Sequence, residues 1–236
     1  MVTVTKDAIK RLLKDIRQIN STPLVDQGIY YVHDETDMMK GYALIIGPED
    51  TPYSNGYYFF DVTYPYNYPY SPPVVKFNTN TGNIRFNPNL YRNGKVCVSL
   101  LNTWSGDQWT SCQTISTILL TLCTLLCKEP LLNEPGITKT HIELDKYNRL
   151  IEFANINHAI CDVLLGKISI QNLDFFKQII KEKFLKNYKE LDNFVNEKLI
   201  LYPKQYVINT NIYKMNIVID YEQLRTKLED CHNAVK

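Results

Sequence analysis

No stretch of about eighteen apolar residues occurs in this chain of 236 residues, so a membrane-spanning helix is not expected. The opening Met1-Val-Thr-Val-Thr-Lys-Asp lacks the apolar segment of a secretory signal, and the expectation is a chain of cytosol or nucleus. Disulfides do not persist there, so Cys97, Cys112, Cys123, Cys127, Cys161 and Cys231 are expected as free thiols. No Cys-x-x-Cys pair is present, and neither a metal nor a cofactor is expected. Charge of one sign is missing as well. The 26 basic and 25 acidic residues leave a net charge of +1, so no global field draws nucleic acid or an acidic membrane. Internal repeats and low-complexity tracts are absent.

What is present is ordinary globular material. The length supports a hydrophobic core without a disulfide or metal staple, and 44% hydrophobic with 22% charged residues argues against disorder. Ile9, Leu12, Leu13, Ile16 and Ile19 recur at helical spacing over 5–20, with Lys6, Lys10, Arg11, Lys14 and Arg17 on the remaining surface. Thr22 before Pro23 ends that helix. Segments 28–32, 41–46 and 57–64 read as strands separated by turn residues, and Val74, Val75 and Phe77 read as a fourth after a proline-rich run. Ile115 to Leu126 forms an apolar central helix. Another runs from about Glu143 to a Gly166 cap. Beyond it lies a tail: a Lys-rich amphipathic helix from Leu173 through Leu191 towards Leu201, an irregular or extended run over 203–219, and a last helix capped by Asp220. The fold class is α+β, with an N-terminal helix, a four-stranded antiparallel meander, a central helix and C-terminal helices. Residues 1–166 form a core and 167–236 a helical extension.

Residues 79–108 show little periodicity, and an irregular stretch of that length in a compact domain is usually functional. Within it, Asn89-Leu-Tyr-Arg-Asn-Gly-Lys-Val-Cys97 puts a thiol just after an Asn-Gly turn beside Lys95, which predicts an exposed, thiolate-favoured cysteine. Asn89, fixed by Pro88, can offer its amide to an oxyanion. No base accompanies the pair, since His33, His141 and His158 lie far off in sequence. A thiol with an oxyanion donor and no dedicated base suits thioester exchange, whose leaving group is already activated, better than amide hydrolysis.

These residues resemble the ubiquitin-conjugating enzymes. Tyr68-Pro-Tyr-Ser-Pro-Pro73 is similar to the family's proline segment. Asn87-Pro-Asn89 is similar to its His-Pro-Asn triplet, and the spacing of eight from Asn89 to Cys97 is kept. Trp104, Trp109 and Asp145-Lys-Tyr-Asn-Arg149 also fit, so the resemblance covers about residues 5–165. Asn133-Glu-Pro-Gly136 and the tail resemble a subgroup of long members. The resemblance implies the fold given above and a set of roles. Cys97 accepts ubiquitin or a ubiquitin-like protein as a thioester from an activating enzyme and passes it to a protein-substrate lysine or a ligase. Asn89 stabilises the oxyanion. Asn133 stands where the family often has an acid, with Glu134 beside it taken as the acid here. Lys10, Arg11 and Lys14 match the helix face that docks the activating enzyme, and Pro69 and Tyr70 the loop that contacts ligases. Three departures stand out. Asn87 replaces His, Ser105-Gly-Asp-Gln108 lengthens the loop, and Thr110-Ser-Cys112 replaces the usual ligase-contact triplet.

Plainer readings apply to the same residues. A helix face of cations is usually only solvated, and Tyr70 can be ordinary surface packing. Cys123 and Cys127, four apart on an apolar helical run, can ligate a metal but read better as small buried side chains. A non-catalytic ubiquitin-binding scaffold of this fold normally lacks the cysteine. A thiol hydrolase needs a histidine brought to Cys97, which the fold decides.

Overall fold

The computed structural model describes residues 4–236. Helix α1 (Lys6–Ser21) starts where the Thr5 hydroxyl accepts from the Ala8 N–H at 3.1 Å, and it buries Ala8, Leu12 and Ile19. Strands β1 (Ile29–His33), β2 (Lys40–Ile46), β3 (Tyr57–Thr63) and β4 (Val74–Phe77) form one antiparallel sheet in the order β1-β2-β3-β4. Register is set by apolar cross-strand partners such as Ile29 with Ile45 and Phe60 with Phe77. Helix α2 (Ile115–Leu125) packs on α1, β1 and β2 and buries Ile115, Ile118, Leu119 and Leu122. Helix α3 (Leu144–Ala154) continues into a π-helical stretch, Asn155–Asp162, and Gly166 ends it in the left-handed conformation at φ 67°. The α+β class and the meander are as the sequence predicts.

The tail folds against this core. Helix α4 (Lys177–Leu201) buries Ile180, Phe184, Leu191 and Val195. Helix α5 (Tyr221–Val235) begins where the Asp220 carboxylate accepts from the Gln223 N–H at 2.9 Å, and it buries Tyr221, Leu224, Leu228 and Cys231. All of these belong to the same apolar cluster as Leu12 and Phe77. Phe184 is fully buried, and burial of a side chain that size contributes about 1.5–3 kcal/mol.

One stretch needs correction. Residues 203–219, expected as irregular or extended in a helical extension, contain a β-hairpin: β5 (Tyr206–Thr210) paired with β6 (Met215–Ile219). Ile208, Thr210, Met215 and Ile219 point inward and Val207, Asn209, Asn216 and Val218 outward, a period of two that asparagines on both strands conceal. The tail is therefore helix, hairpin, helix. Among the described residues no helix is long and apolar enough to cross a membrane.

Candidate functional site

The loop between β4 and Cys97 is tied down by side chains together with isolated backbone bridges, such as Leu90 with Val96, in place of a continuous ladder. Its turn needs Gly94, because φ is 87° and a Cβ there would sit 2.9 Å from the Phe77 carbonyl oxygen. Three side chains then fix 85–97. Arg85, which is buried, donates to the carbonyls of Asn87 at 3.1 Å and Pro88 at 2.5 Å. Asn87 accepts from the Asn89 N–H at 2.9 Å and donates through Nδ2 to the Leu125 carbonyl at 2.7 Å and Tyr53 Oη at 3.1 Å. Asn89 closes on the cysteine. Its carbonyl accepts from the Cys97 N–H at 2.9 Å, and its Nδ2 donates to the Cys97 carbonyl at 2.6 Å. The position where the family has His is thus a structural hydrogen-bonding one here.

Two properties of this pair differ from the expectation. Cys97 is 1% exposed, not a surface thiol, whereas Cys112 is exposed. Asn93 and Lys95 are exposed, but Gly94 between them is buried, and Val96, Cys97 and Val98 run on into the apolar core. The second is Asn89 Oδ1, a buried oxygen without a hydrogen-bond partner. A buried unpaired amide oxygen is costly, and sites of function are where such groups collect. Of the amide's two N–H bonds, the Cys97 carbonyl takes one. The other is the candidate donor to an oxyanion.

Asn133 is the last residue of a 3₁₀ turn, Pro130–Asn133, and Glu134 follows it; both are half-buried. Asn133 Nδ2 donates to the Leu125 carbonyl at 3.3 Å, the same oxygen that Asn87 uses, so these side chains meet the cysteine loop at one atom. Glu134 Oε2 accepts from the Tyr213 hydroxyl at 2.5 Å. Tyr213 sits at the tip of the tail hairpin, and no sequence signal marks it among 17 tyrosines. Arg85, which the sequence reading does not single out, also lies 5.0 Å from the Tyr213 ring centroid and 3.3 Å from that of Tyr91.

Among the described residues no histidine is hydrogen-bonded to Cys97. His33 bonds Tyr31 and the Met38 carbonyl, His141 the Glu143 N–H, and His158 Asp162, while the His232 ring stacks on Tyr188. Cys123 and Cys127 are half-buried, and burial pushes both thiols up, away from the thiolate that ligates metals.

A second surface gathers the other predicted residues. Lys10 and Lys14 are exposed on α1. Arg11 is not free: it donates to Asp15 at 2.9 Å, to the Gln113 carbonyl at 2.5 Å and to the Ser111 carbonyl. Asp15 is buried and also accepts from the Tyr68 hydroxyl at 2.5 Å. Burial, then this hydrogen bond to the carboxylate, pushes the Tyr68 hydroxyl well above its ordinary range. Pro69 is buried, with its carbonyl accepting from Trp109 Nε1 at 2.6 Å, while Tyr70 is 74% exposed. The basic helix, the proline segment and the 109–113 loop are one bonded unit.

The family model described as ubiquitin-conjugating enzyme matches residues 11–156. Ubiquitin-conjugating enzyme E2 Z of Xenopus tropicalis is 34% identical over 235 residues, which is 98% of this chain and 73% of that protein. The Homo sapiens E2 Z is 40% identical over 181 residues, 75% of this chain and 50% of that protein. The Homo sapiens dual E2 ubiquitin-conjugating enzyme/E3 ubiquitin-protein ligase BIRC6 is 45% identical over 130 residues, 51% of this chain and 3% of that protein. The chain thus spans from half to about three quarters of the two E2 Z proteins.

Proposed function

The chain belongs to the ubiquitin-conjugating enzyme family, and on that footing we propose that it carries ubiquitin, or a ubiquitin-like protein, as a thioester on Cys97. The observation that supports this most is the reciprocal pairing of Asn89 and Cys97, 2.9 Å and 2.6 Å, at the spacing the family uses. In loading, the Cys97 thiolate attacks the carbonyl carbon of the activating enzyme's thioester. A new C–S bond forms, the old one breaks, and the activating enzyme's thiolate leaves. In transfer, a lysine amine attacks that same carbon, a C–N bond forms, the Cys97 thiolate leaves, and the ammonium gives up a proton. The Asn89 amide stabilises the oxyanion between these events. Glu134 is the carboxylate that orients the incoming amine and receives its proton. Asn133, whose amide is committed to Leu125, steadies the loop. Lys10 and Lys14 face the activating enzyme and Tyr70 a ligase. Because Cys97 is 1% exposed, both steps require an opening motion that uncovers Sγ.

That burial is also what favours a second reading, a ubiquitin-binding scaffold that never forms the thioester. Incubation with activating enzyme, ATP and ubiquitin separates the two. The expected result is one adduct abolished by reducing agent, absent in Cys97→Ala and converted to a reductant-resistant ester in Cys97→Ser. No adduct with activating enzymes for ubiquitin or its relatives leaves the scaffold. Cleavage of preformed conjugates points to hydrolysis.

A further inference from the structure

The tail hairpin has an unusual tip. Strands β5 and β6 are joined by Asn211–Lys214, and both Tyr213 and Lys214 are left-handed, at φ 63° and 47°. Turns of that hand are normally built from Asn and Gly, because a Cβ crowds the backbone there. Non-glycine residues hold such conformations only where their surroundings over-determine them. Here the surroundings do. Buried Glu143 accepts from the Asn211 N–H at 2.7 Å and the Ile212 N–H at 2.9 Å, so both of its oxygens hold the tip. Arg92 donates to the Tyr213 carbonyl at 2.7 Å, and the Arg85 N–H meets the Met215 sulfur at 3.3 Å. The Tyr213 ring is set edge-on to Tyr147 with centroids 6.1 Å apart, and Tyr147 in turn donates to the Arg85 carbonyl at 2.7 Å. With backbone and ring both fixed, the hydroxyl is delivered to one acceptor, the Glu134 carboxylate, at 2.5 Å.

We infer that Tyr213 is a positioning residue for aminolysis: the tail reaches into the proposed transfer site and holds the Glu134 carboxylate in the geometry an incoming lysine amine requires. This rests on the reading of Glu134 given above. A glutamate on a loop has three side-chain torsions to order, and an immobile donor removes much of that freedom before the amine arrives. Burial, and secondarily the bond to Glu134, pushes the Tyr213 hydroxyl well above its ordinary range, so it remains a donor throughout the working pH. The tail therefore acts on the transfer step and not on formation of the thioester.

The test is single-turnover discharge of the full-length charged protein. Tyr213→Phe keeps the ring between Arg85 and Tyr147 and removes only the donor. Loading of ubiquitin by the activating enzyme should be unchanged. Discharge onto free lysine should slow about tenfold, the worth of one hydrogen bond to a charged group. The loss should appear in the rate at saturating lysine as well as in the lysine concentration needed. Discharge onto a small thiol, whose nucleophile needs no carboxylate to shed a proton, should be unaffected, whereas a merely structural defect slows both. Glu134→Gln should lose at least as much with lysine, and the double variant should be no slower than Glu134→Gln alone. Unchanged lysine discharge in Tyr213→Phe, equal slowing with lysine and thiol, or additive losses in the double variant overturns this inference alone. Normal lysine discharge in Glu134→Gln overturns the role given to that carboxylate and this inference with it. Failure of the wild type to load on Cys97 overturns the functional reading itself.

Discussion

The cysteine side of the proposed site is held by its own loop, whereas the glutamate side is held by a residue 79 positions along the chain. On the cysteine side, Arg85, Asn87 and Asn89 bond backbone two to eight residues along their own loop, with Leu125, Tyr53, Tyr147 and Met215 contributing from elsewhere. On the other, Glu134 is met by Tyr213, and Tyr213 is itself fixed by Glu143, Arg92 and Arg85. A short motif can encode the first arrangement in one segment. The second exists only once the tail has folded onto the core. The two sides are consequently separable by mutation, except at Arg85 and Arg92, which lie in the cysteine loop and also hold Tyr213.

Arg85→Ala removes that shared support and should have the largest effect. It leaves the Asn87 and Pro88 carbonyls without their donor and strips a cation from between Tyr91 and Tyr213. Chemical denaturation should show a loss of about 3–4 kcal/mol, as expected when a buried charged network is broken. Loading and transfer should then fall together. A variant that lost only transfer would show that the cysteine loop does not depend on Arg85, and the shared-support picture would break.

Asn89→Ala tests the cysteine side alone. If the free N–H of its amide meets the oxyanion, transfer to lysine should slow by roughly 10²-fold with loading much less affected. Should Asn89 merely prop the loop through the Cys97 carbonyl, both rates would drop in parallel with stability.

These contrasts also explain what could be read from the chain beforehand. The meander was legible because the strand segments are apolar and separated by turn residues, and α1 because its buried stripe repeats at helical spacing. Asn89 and Cys97 were legible as a spacing. Their burial was not, since an Asn-Gly turn predicts surface and only packing shows that Val96 and Val98 take the cysteine inward with them. The hairpin was hidden by asparagines in strand positions and by two left-handed residues that are neither Asn nor Gly. Tyr213 could not be found at all, because its role is created by Glu143, Arg85 and Arg92, three residues from another part of the sequence.

The attachment of the tail offers a third, smaller test. Lys227 of α5 bonds Asp162 at 2.7 Å, and His158 bonds the other carboxylate oxygen at 2.6 Å. Burial by itself would raise the Asp162 carboxyl, but these two hydrogen bonds turn the net shift below its ordinary 3.8. Its contribution is therefore complete above pH 3.8 and is lost as pH falls through the lower folded value. Between pH 7 and about pH 3 the wild type should lose more stability than Asp162→Asn, by at most about 1 kcal/mol. An identical pH dependence in the two proteins would remove Asp162 from the attachment.

Helix α1 belongs to neither side, and it supplies the smallest and cleanest contrast. The sequence presents Lys10, Arg11 and Lys14 as three equivalent cations within a local +3, made by five basic residues against Asp7 and Asp15. The structure divides them. Arg11 is consumed by Asp15 and by the carbonyls of Ser111 and Gln113, so Arg11→Ala should lower stability by about 1–3 kcal/mol by leaving buried Asp15 without its cation. Lys10 and Lys14 are exposed and make no ion pair among the described residues, so replacing both with Ala should change stability by less than about 0.5 kcal/mol. Their effect belongs to encounter. Loading by the activating enzyme should slow by roughly threefold to fivefold at low salt, the deficit should shrink as ionic strength rises, and discharge of protein already charged should be untouched. A deficit that persists at high salt, or one that appears in discharge, would mean that this helix reaches the site through the 109–113 loop that Arg11 anchors, and that the separation between docking surface and chemistry drawn here is wrong.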